Sequence, residues 1–169
     1  MHKVYLLIGG NQGDRERLLQ EAREAIASRV GQIVATSGLY ETEPWGKFNG
    51  SAQSFLNQAL EIATQMDAYE VLEQTQAIET LLGRKRAEHS MTGTERIYVS
   101  RPIDIDIICY DDLIQHDPKL TLPHPRMHQR RFVLQPLCEI APSLRHPFLN
   151  KTIEQLLNEC NDTSFCSRY

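Results

Sequence analysis

Arg101-Pro102-Ile103-Asp104-Ile105-Asp106-Ile107-Ile108-Cys109-Tyr110 is the stretch on which the reading of the fold turns. Asp104 and Asp106 alternate with Ile103, Ile105 and Ile107. That is the period of a β-strand, so both carboxylates leave one face and the isoleucines the other. Two strand rises of about 3.3 Å put the aspartate Cα atoms roughly 6.5–7 Å apart. From the triplet alone, two readings weigh about evenly. One is a half-exposed strand with a solvated polar face. The other is a magnesium site, because Mg²⁺ takes hard oxygen ligands and binds through one or two carboxylates plus substrate phosphates. Arg101, just ahead of the pair, either forks onto a phosphate or serves as a structural partner for Asp104.

The rest of the chain supplies the elements that this strand completes. Val4–Ile8 is an apolar run closed by Gly9 and Gly10, which reads as a buried strand. Asp14 is placed to N-cap a helix through about Ser28. Gln32 to Thr42 reads as a strand, and Phe55 to Ala63 as another, with a Pro/Gly-bearing loop between them. Asp67 and Glu70 have capping-box spacing for a helix ending near Leu82, with Gly83 as its stop. A short helix is expected around Met127 to Pro136, and Thr152 with Gln155 opens a last one. The order β-α-β-β-α-β is that of an α+β, ferredoxin-like core: an antiparallel sheet with helices on one face, plus extra C-terminal helices. No repeat or boundary divides residues 1–169, so a single domain is expected.

Composition narrows the functional classes. The chain has 169 residues, 41% of them hydrophobic and 24% charged, as in a soluble globular protein. A net charge of −4 argues against a nucleic-acid or membrane-surface binder. The N-terminal apolar run is too short for a signal peptide and nothing is long enough to span a bilayer, so a cytoplasmic location is expected. Cys109, Cys138, Cys160 and Cys166 show no C-x-x-C spacing, which makes a zinc site improbable. The first two sit in apolar contexts as small core residues; the last two lie in a polar tail.

Residues 83–100 have little periodicity and carry Arg84, Lys85, Arg86 and Arg96, opposed only by Glu88 and Glu95. Most charge runs are solvated surface. This one leads directly into Arg101 and the two aspartates, which favours a clamp for a metal-bound polyphosphate. There is no G-x-x-x-x-G-K-[ST] loop, so a Walker-type site is excluded.

Here several motifs in order resemble one family. VYLLIGGNQGDR, LYETEPWG, FLNQALEIAT, QAIETLLGRKR, RPIDIDIICY and LTLPHPRMHQRRFVLQPLCEIAP are similar to the successive signatures of the 6-hydroxymethyl-7,8-dihydropterin pyrophosphokinases, over roughly residues 3 to 145. The resemblance implies diphosphoryl transfer from ATP to the pterin hydroxymethyl group with release of AMP, by attack on the β-phosphorus. It implies that Asp104 and Asp106 hold two magnesium ions. Catalytic roles fall to Arg84, Arg101, Asp104 and Asp106. ATP contacts fall to Gln76, Glu79, Arg84, Arg86, Arg101, Ile107, His124 and Arg130, with Ile107 packing near the adenine. Phe55 and Phe132 are expected to sandwich the pterin, Asn57 to read its edge, and Thr42, Pro44 and Trp45 to line the pocket. Without the family pattern, Phe55 and Phe132 would read as ordinary core, Gln76 and Glu79 as an exposed polar face, and His124 as structural. The loop from Arg86 to Arg101 is longer than the usual pattern, leaving Arg96 and Tyr98 as its candidates. Pro125 replaces an aromatic, and Glu43 stands where proline is common. The partners implied are ATP and 6-hydroxymethyl-7,8-dihydropterin, with no nucleic acid and no membrane, and the chain is expected to act as a monomer. Two other classes fit the residues less well. A nucleotidyl transferase or cyclase would attack the α-phosphorus and release pyrophosphate. A non-catalytic RNA-binding module would bind with steep salt dependence.

Overall fold

The computed structural model describes residues 1–43, 53–83 and 102–169. Its first half runs β1 (His2–Gly10), α1 (Arg15–Arg29), β2 (Gln32–Thr36), β3 (Tyr40–Thr42), β4 (Phe55–Thr64) and α2 (Ala68–Leu81). Then come β5 (Asp104–Tyr110), the small hairpin β6 (Gln115–His116) and β7 (Thr121–Leu122), a 3-10 turn (Met127–Gln129), α3 (Arg131–Ile140), α4 (Ile153–Glu159) and β8 (Cys166–Arg168). The helix starts follow their caps. Asp14 accepts from Arg17 N at 3.2 Å and Asp67 from Glu70 N at 2.8 Å. Thr152 and Gln155 form the reciprocal capping box.

The main sheet is antiparallel in the order β5-β1-β4-β3-β8, with β2 also pairing β4. The expected Gln32–Thr42 strand is two strands. Ser37 interrupts it, its hydroxyl accepting from Ala59 N while its own N–H bonds Ala59 O, so Ser37-Gly38-Leu39 leaves the ladder. The strand with the aspartates starts at Asp104 rather than Arg101, and Ile103 is fully buried before it.

The two core helices, α1 and α2, share one face of the sheet as expected, and the extra helices α3 and α4 cover the other. Val4, Leu6 and Ile8 of β1 and Leu60 and Ile62 of β4 pack against Leu19, Ala22 and Ile26 of α1 and Val71 and Ile78 of α2. On the opposite face Tyr5, Leu7 and Ala59 pack against Val133, Leu134 and Leu137 of α3 and Ile153 and Leu156 of α4. Both faces can be apolar in alternation only because each strand carries two hydrophobic rows. A β-bulge in β5, where Ile107 pairs Leu6 but Cys109 pairs Tyr5, turns Ile108 and Cys109 together onto the α3 face. Among the described residues, no helix is long and apolar enough to cross a membrane.

The α3–α4 connection closes around His146, which is 1% exposed. Its Nδ1 accepts from Leu149 N at 3.2 Å and its ring meets Phe148 edge-on at 4.4 Å. Burial, with a smaller effect from His128, pushes its pKa down from 6.5 to about 4. The unfolded chain therefore takes this proton first as pH falls. Stability owed to neutral His146 is complete above the unfolded value and is lost between about pH 6.5 and 4. His146→Asn is expected to reduce the pH slope of the unfolding free energy in that window by up to about one proton. Denaturant titrations at several pH values measure it; an unchanged slope would show that His146 does not titrate with folding.

Candidate active site

The aspartates lie on the α3 face of the sheet, since Ile105 and Ile107 of the same strand, and Ile103 just ahead of it, project into the opposite core. Along β1 that face passes from Tyr5 to Leu7 to Gly9. Tyr5 and Leu7 lie under apolar side chains of the second core; Gly9 has no side chain to bury. Across the strands, Asp106 pairs Leu7 and Leu7 pairs Ala59. One step further, Asp104 pairs Gly9, Gly9 pairs Asn57 and Asn57 pairs Tyr40. Asp104, Gly9 and Asn57 thus form one row. At about 4.8 Å per strand, the aspartate and the asparagine backbones stand roughly 10 Å apart.

Gly9 is required in that row. A Cβ built on it would lie 2.1 Å from Asn57 Oδ1 and 3.0 Å from Leu56 O. The amide of Asn57 therefore lies across β1 on the aspartate side. It is fixed there because its Nδ2 donates to Thr42 Oγ1 at 2.8 Å. Asn57 and Thr42 are 5% and 2% exposed. Phe55, paired with Thr42, continues the same face of β4 and is half-buried. Phe132, in the first turn of α3, packs at the margin of the second core, and the Arg130 guanidinium sits 5.5 Å from its ring centroid.

His124 closes the other side. Its N–H donates to Ile108 O at 2.8 Å, which holds the 121–126 segment against β5. Its Nδ1 accepts from Arg126 N at 3.3 Å, so the neutral ring carries its proton on Nε2. Burial first, then Arg130, lowers its pKa to about 4, against the opposing pull of Asp104. His124 is a neutral donor at pH 7, within the electrostatic reach of both Arg130 and Asp104.

The remaining predicted residues separate into three groups. Gln76 is half-buried on α2. Glu79 is not on an exposed polar face: it is 1% exposed, and its Oε2 accepts from Ile105 N at 2.9 Å, between the two aspartates along the backbone. Ile107 has its side chain in the α1–α2 core at 5% exposure, since the strand alternation that turns the aspartates one way turns Ile107 the other. Arg84, Arg86, Arg101, Pro44 and Trp45, with Arg96 and Tyr98, lie outside the described residues. Sequence reading missed the part Gly9 plays, whose only signal is a glycine near the end of an apolar strand. It also missed Glu79's link to the strand, which has no local signal.

The buried Glu79 carboxylate suggests a measurable role in stability. Glu79→Ala leaves the Ile105 N–H without this acceptor, and is expected to cost about 1–3 kcal/mol. Denaturant unfolding checks it; a loss within a few tenths would remove Glu79 as the anchor of β5.

Among the described residues no three His, Cys, Asp or Glu side chains converge as a closed metal cage. Two half-exposed carboxylates on one face, with the rest of a coordination shell open, fit a cation completed by phosphate and water, which is how Mg²⁺ is held.

A family model described as 7,8-dihydro-6-hydroxymethylpterin-pyrophosphokinase matches residues 5–142. A Porphyromonas gingivalis protein named 2-amino-4-hydroxy-6-hydroxymethyldihydropteridine pyrophosphokinase is 43% identical over 145 residues, covering 85% of this chain and 93% of its own. The Aquifex aeolicus protein of the same name is 34% identical over 166 residues, covering 98% and 97%. Among solved structures, the Plasmodium falciparum HPPK-DHPS wild type with pteroate superposes with a TM-score of 0.71 at 19% identity. That match covers 94% of this chain and 42% of the solved one, so the chain spans less than half its length, and the likeness is one of ferredoxin-like fold.

Proposed function

We propose a mechanism for a chain that belongs to the 7,8-dihydro-6-hydroxymethylpterin-pyrophosphokinase family, whose activity is diphosphoryl transfer from ATP to 6-hydroxymethyl-7,8-dihydropterin, with release of AMP, in folate biosynthesis. The observation that carries the reading of the site is the row Asp104–Gly9–Asn57. Asp104 and, two residues on, Asp106 share a sheet face with Asn57 across Gly9, which supports reading the carboxylates as metal ligands and the amide as the reader of the pterin edge.

Asn57, held by Thr42, reads the pterin edge, and its amide offers both a donor and an acceptor. Phe55 and Phe132 close on the two ring faces by stacking. With the edge at Asn57, the hydroxymethyl group points along the row toward Asp104 and Asp106. Asp104 and Asp106 would hold Mg²⁺, two ions with ATP, which would supply charge neutralisation at the phosphates and activation of the hydroxyl. Neutral His124 donates its Nε2–H toward a phosphate or ribose oxygen, and Arg130 contributes charge against the phosphates. Gln76 faces the nucleotide. Arg84, Arg86 and Arg101 complete the phosphate clamp and stabilise the charge that builds on the transferring group. No separate general base is required; positioning and charge account for the rate.

Incubation with ATP, magnesium and the hydroxymethyl dihydropterin, followed by chromatography of the nucleotides, tests the activity. AMP with a diphosphorylated pterin is the expected result. Pyrophosphate release would instead mark attack on the α-phosphorus.

A further inference from the structure

The segment that follows α4 has no part in the family match, which ends at residue 142, yet it joins α3, which carries Phe132, to β3, which carries Thr42. At α3, the Asp162 carboxylate accepts from Arg131 N at 3.0 Å, and Asp162 O accepts from Arg131 Nε at 2.9 Å. Arg131 is the neighbour of Phe132 and opens the helix. At β3, Cys166, Ser167 and Arg168 pair with Thr42, Glu41 and Tyr40. The pairing runs on in both directions. Glu43 N donates to Phe165 O at 3.3 Å and Glu43 Oε1 accepts from Phe165 N at 2.9 Å, while Tyr169 N donates to Leu39 O at 2.8 Å. A proline at 43 would lack the N–H for the first of these bonds. Glu139, on the far end of α3, joins the same assembly. It pairs with Arg168 at 2.9 Å, and accepts from Tyr40 Oη and from Gly38 N. The Arg168 guanidinium lies on Gly38, where a Cβ would meet its Nε at 2.7 Å.

We propose that residues Cys160–Tyr169 are a positioning strap for the pterin, holding α3 with Phe132 at a set distance from β3 with Thr42. The strap touches neither substrate nor metal, and it acts through Thr42, which orients Asn57, and through the first turn of α3, which orients Phe132. Its strand, β8, lies at the opposite edge of the sheet from β5 and the aspartates, so its effect falls on the acceptor and not on ATP. The assignment rests on the pyrophosphokinase reading of the site.

Removal of Asp162–Tyr169 is expected to raise the pterin KM about tenfold, with the ATP KM and the kcat at saturating pterin within about twofold, as for a lost positioning contact. Asp162→Ala and Arg168→Ala, which keep the fold if the truncation does not, are expected to raise the pterin KM about threefold each. Arg168→Lys, which keeps the charge, restores part of it. An unchanged pterin KM in a folded truncation, or in both point variants, overturns the strap. So does a parallel rise of both KM values with a fall in Tm, which is the mark of a merely structural brace. Wild-type protein that yields no AMP overturns the activity itself, and the strap with it. Wild-type turnover with unmoved variants overturns the strap alone.

Discussion

Asp104→Ala and Asp106→Ala are each expected to lower diphosphoryl transfer by about 10³-fold or more, the several kcal/mol that a metal contributes at a transferring phosphoryl group. The fold should survive. Both side chains are half-exposed, and the apolar residues that hold β5, Ile103, Ile105 and Ile107, project into the opposite core. Deleting one of two like charges on a shared face also relieves repulsion. The unfolding free energy should therefore change by about 1 kcal/mol or less. Asp104→Asn and Asp106→Asn separate charge from shape, since an amide keeps the volume and loses most of the affinity for Mg²⁺. Steady-state rates across a magnesium titration give the result. Near-wild-type kcat in either alanine variant at ordinary magnesium would remove that carboxylate from the metal site.

Gly9→Ala should have the second largest effect, by a different route. The new methyl would lie 2.1 Å from Asn57 Oδ1, closer than any real contact, and 3.0 Å from a backbone carbonyl that cannot swing away. Asn57 has to leave the row, and its bond to Thr42 is lost with it. The pterin KM is expected to rise about 10²-fold, the scale of a misplacement near 1 Å in a positioning group. ATP binding should be little changed, because Asp104 and His124 stand on the other side of β1. A thermodynamic cycle tells steric displacement from general damage. Adding Asn57→Ala to Gly9→Ala removes the closest clash, so stability should partly recover while pterin affinity does not. If the single variant binds pterin normally, Asn57 is not its edge reader.

The element order was legible because each signal is local. Asp14, Asp67 and Thr152 cap the helices they were expected to cap. The alternation in DIDI is read correctly as a strand with both carboxylates on one face. The departures came where non-local partners decide. Nothing in Gln32–Thr42 announces that Ser37 will bond Ala59 and split the strand. Nothing in Thr163–Tyr169, polar and near the end of the chain, announces a strand, because its ladder partner lies more than a hundred residues earlier.

The site shows the same division. The residue types proposed to bind metal and pterin, and their order, were legible in the sequence alone, since strand period and motif spacing are short-range properties. That the aspartates and Asn57 share one row depends on the antiparallel register of β5, β1 and β4, which is selected by the packing of two separate cores. The same register turned Ile107 into the core and set Glu79 beneath the backbone of β5. Register is a property of strands brought together across long loops, and it is fixed by which face can be buried. Only the tertiary structure could place a glycine between the carboxylate and the amide, and a terminal strand behind the pocket.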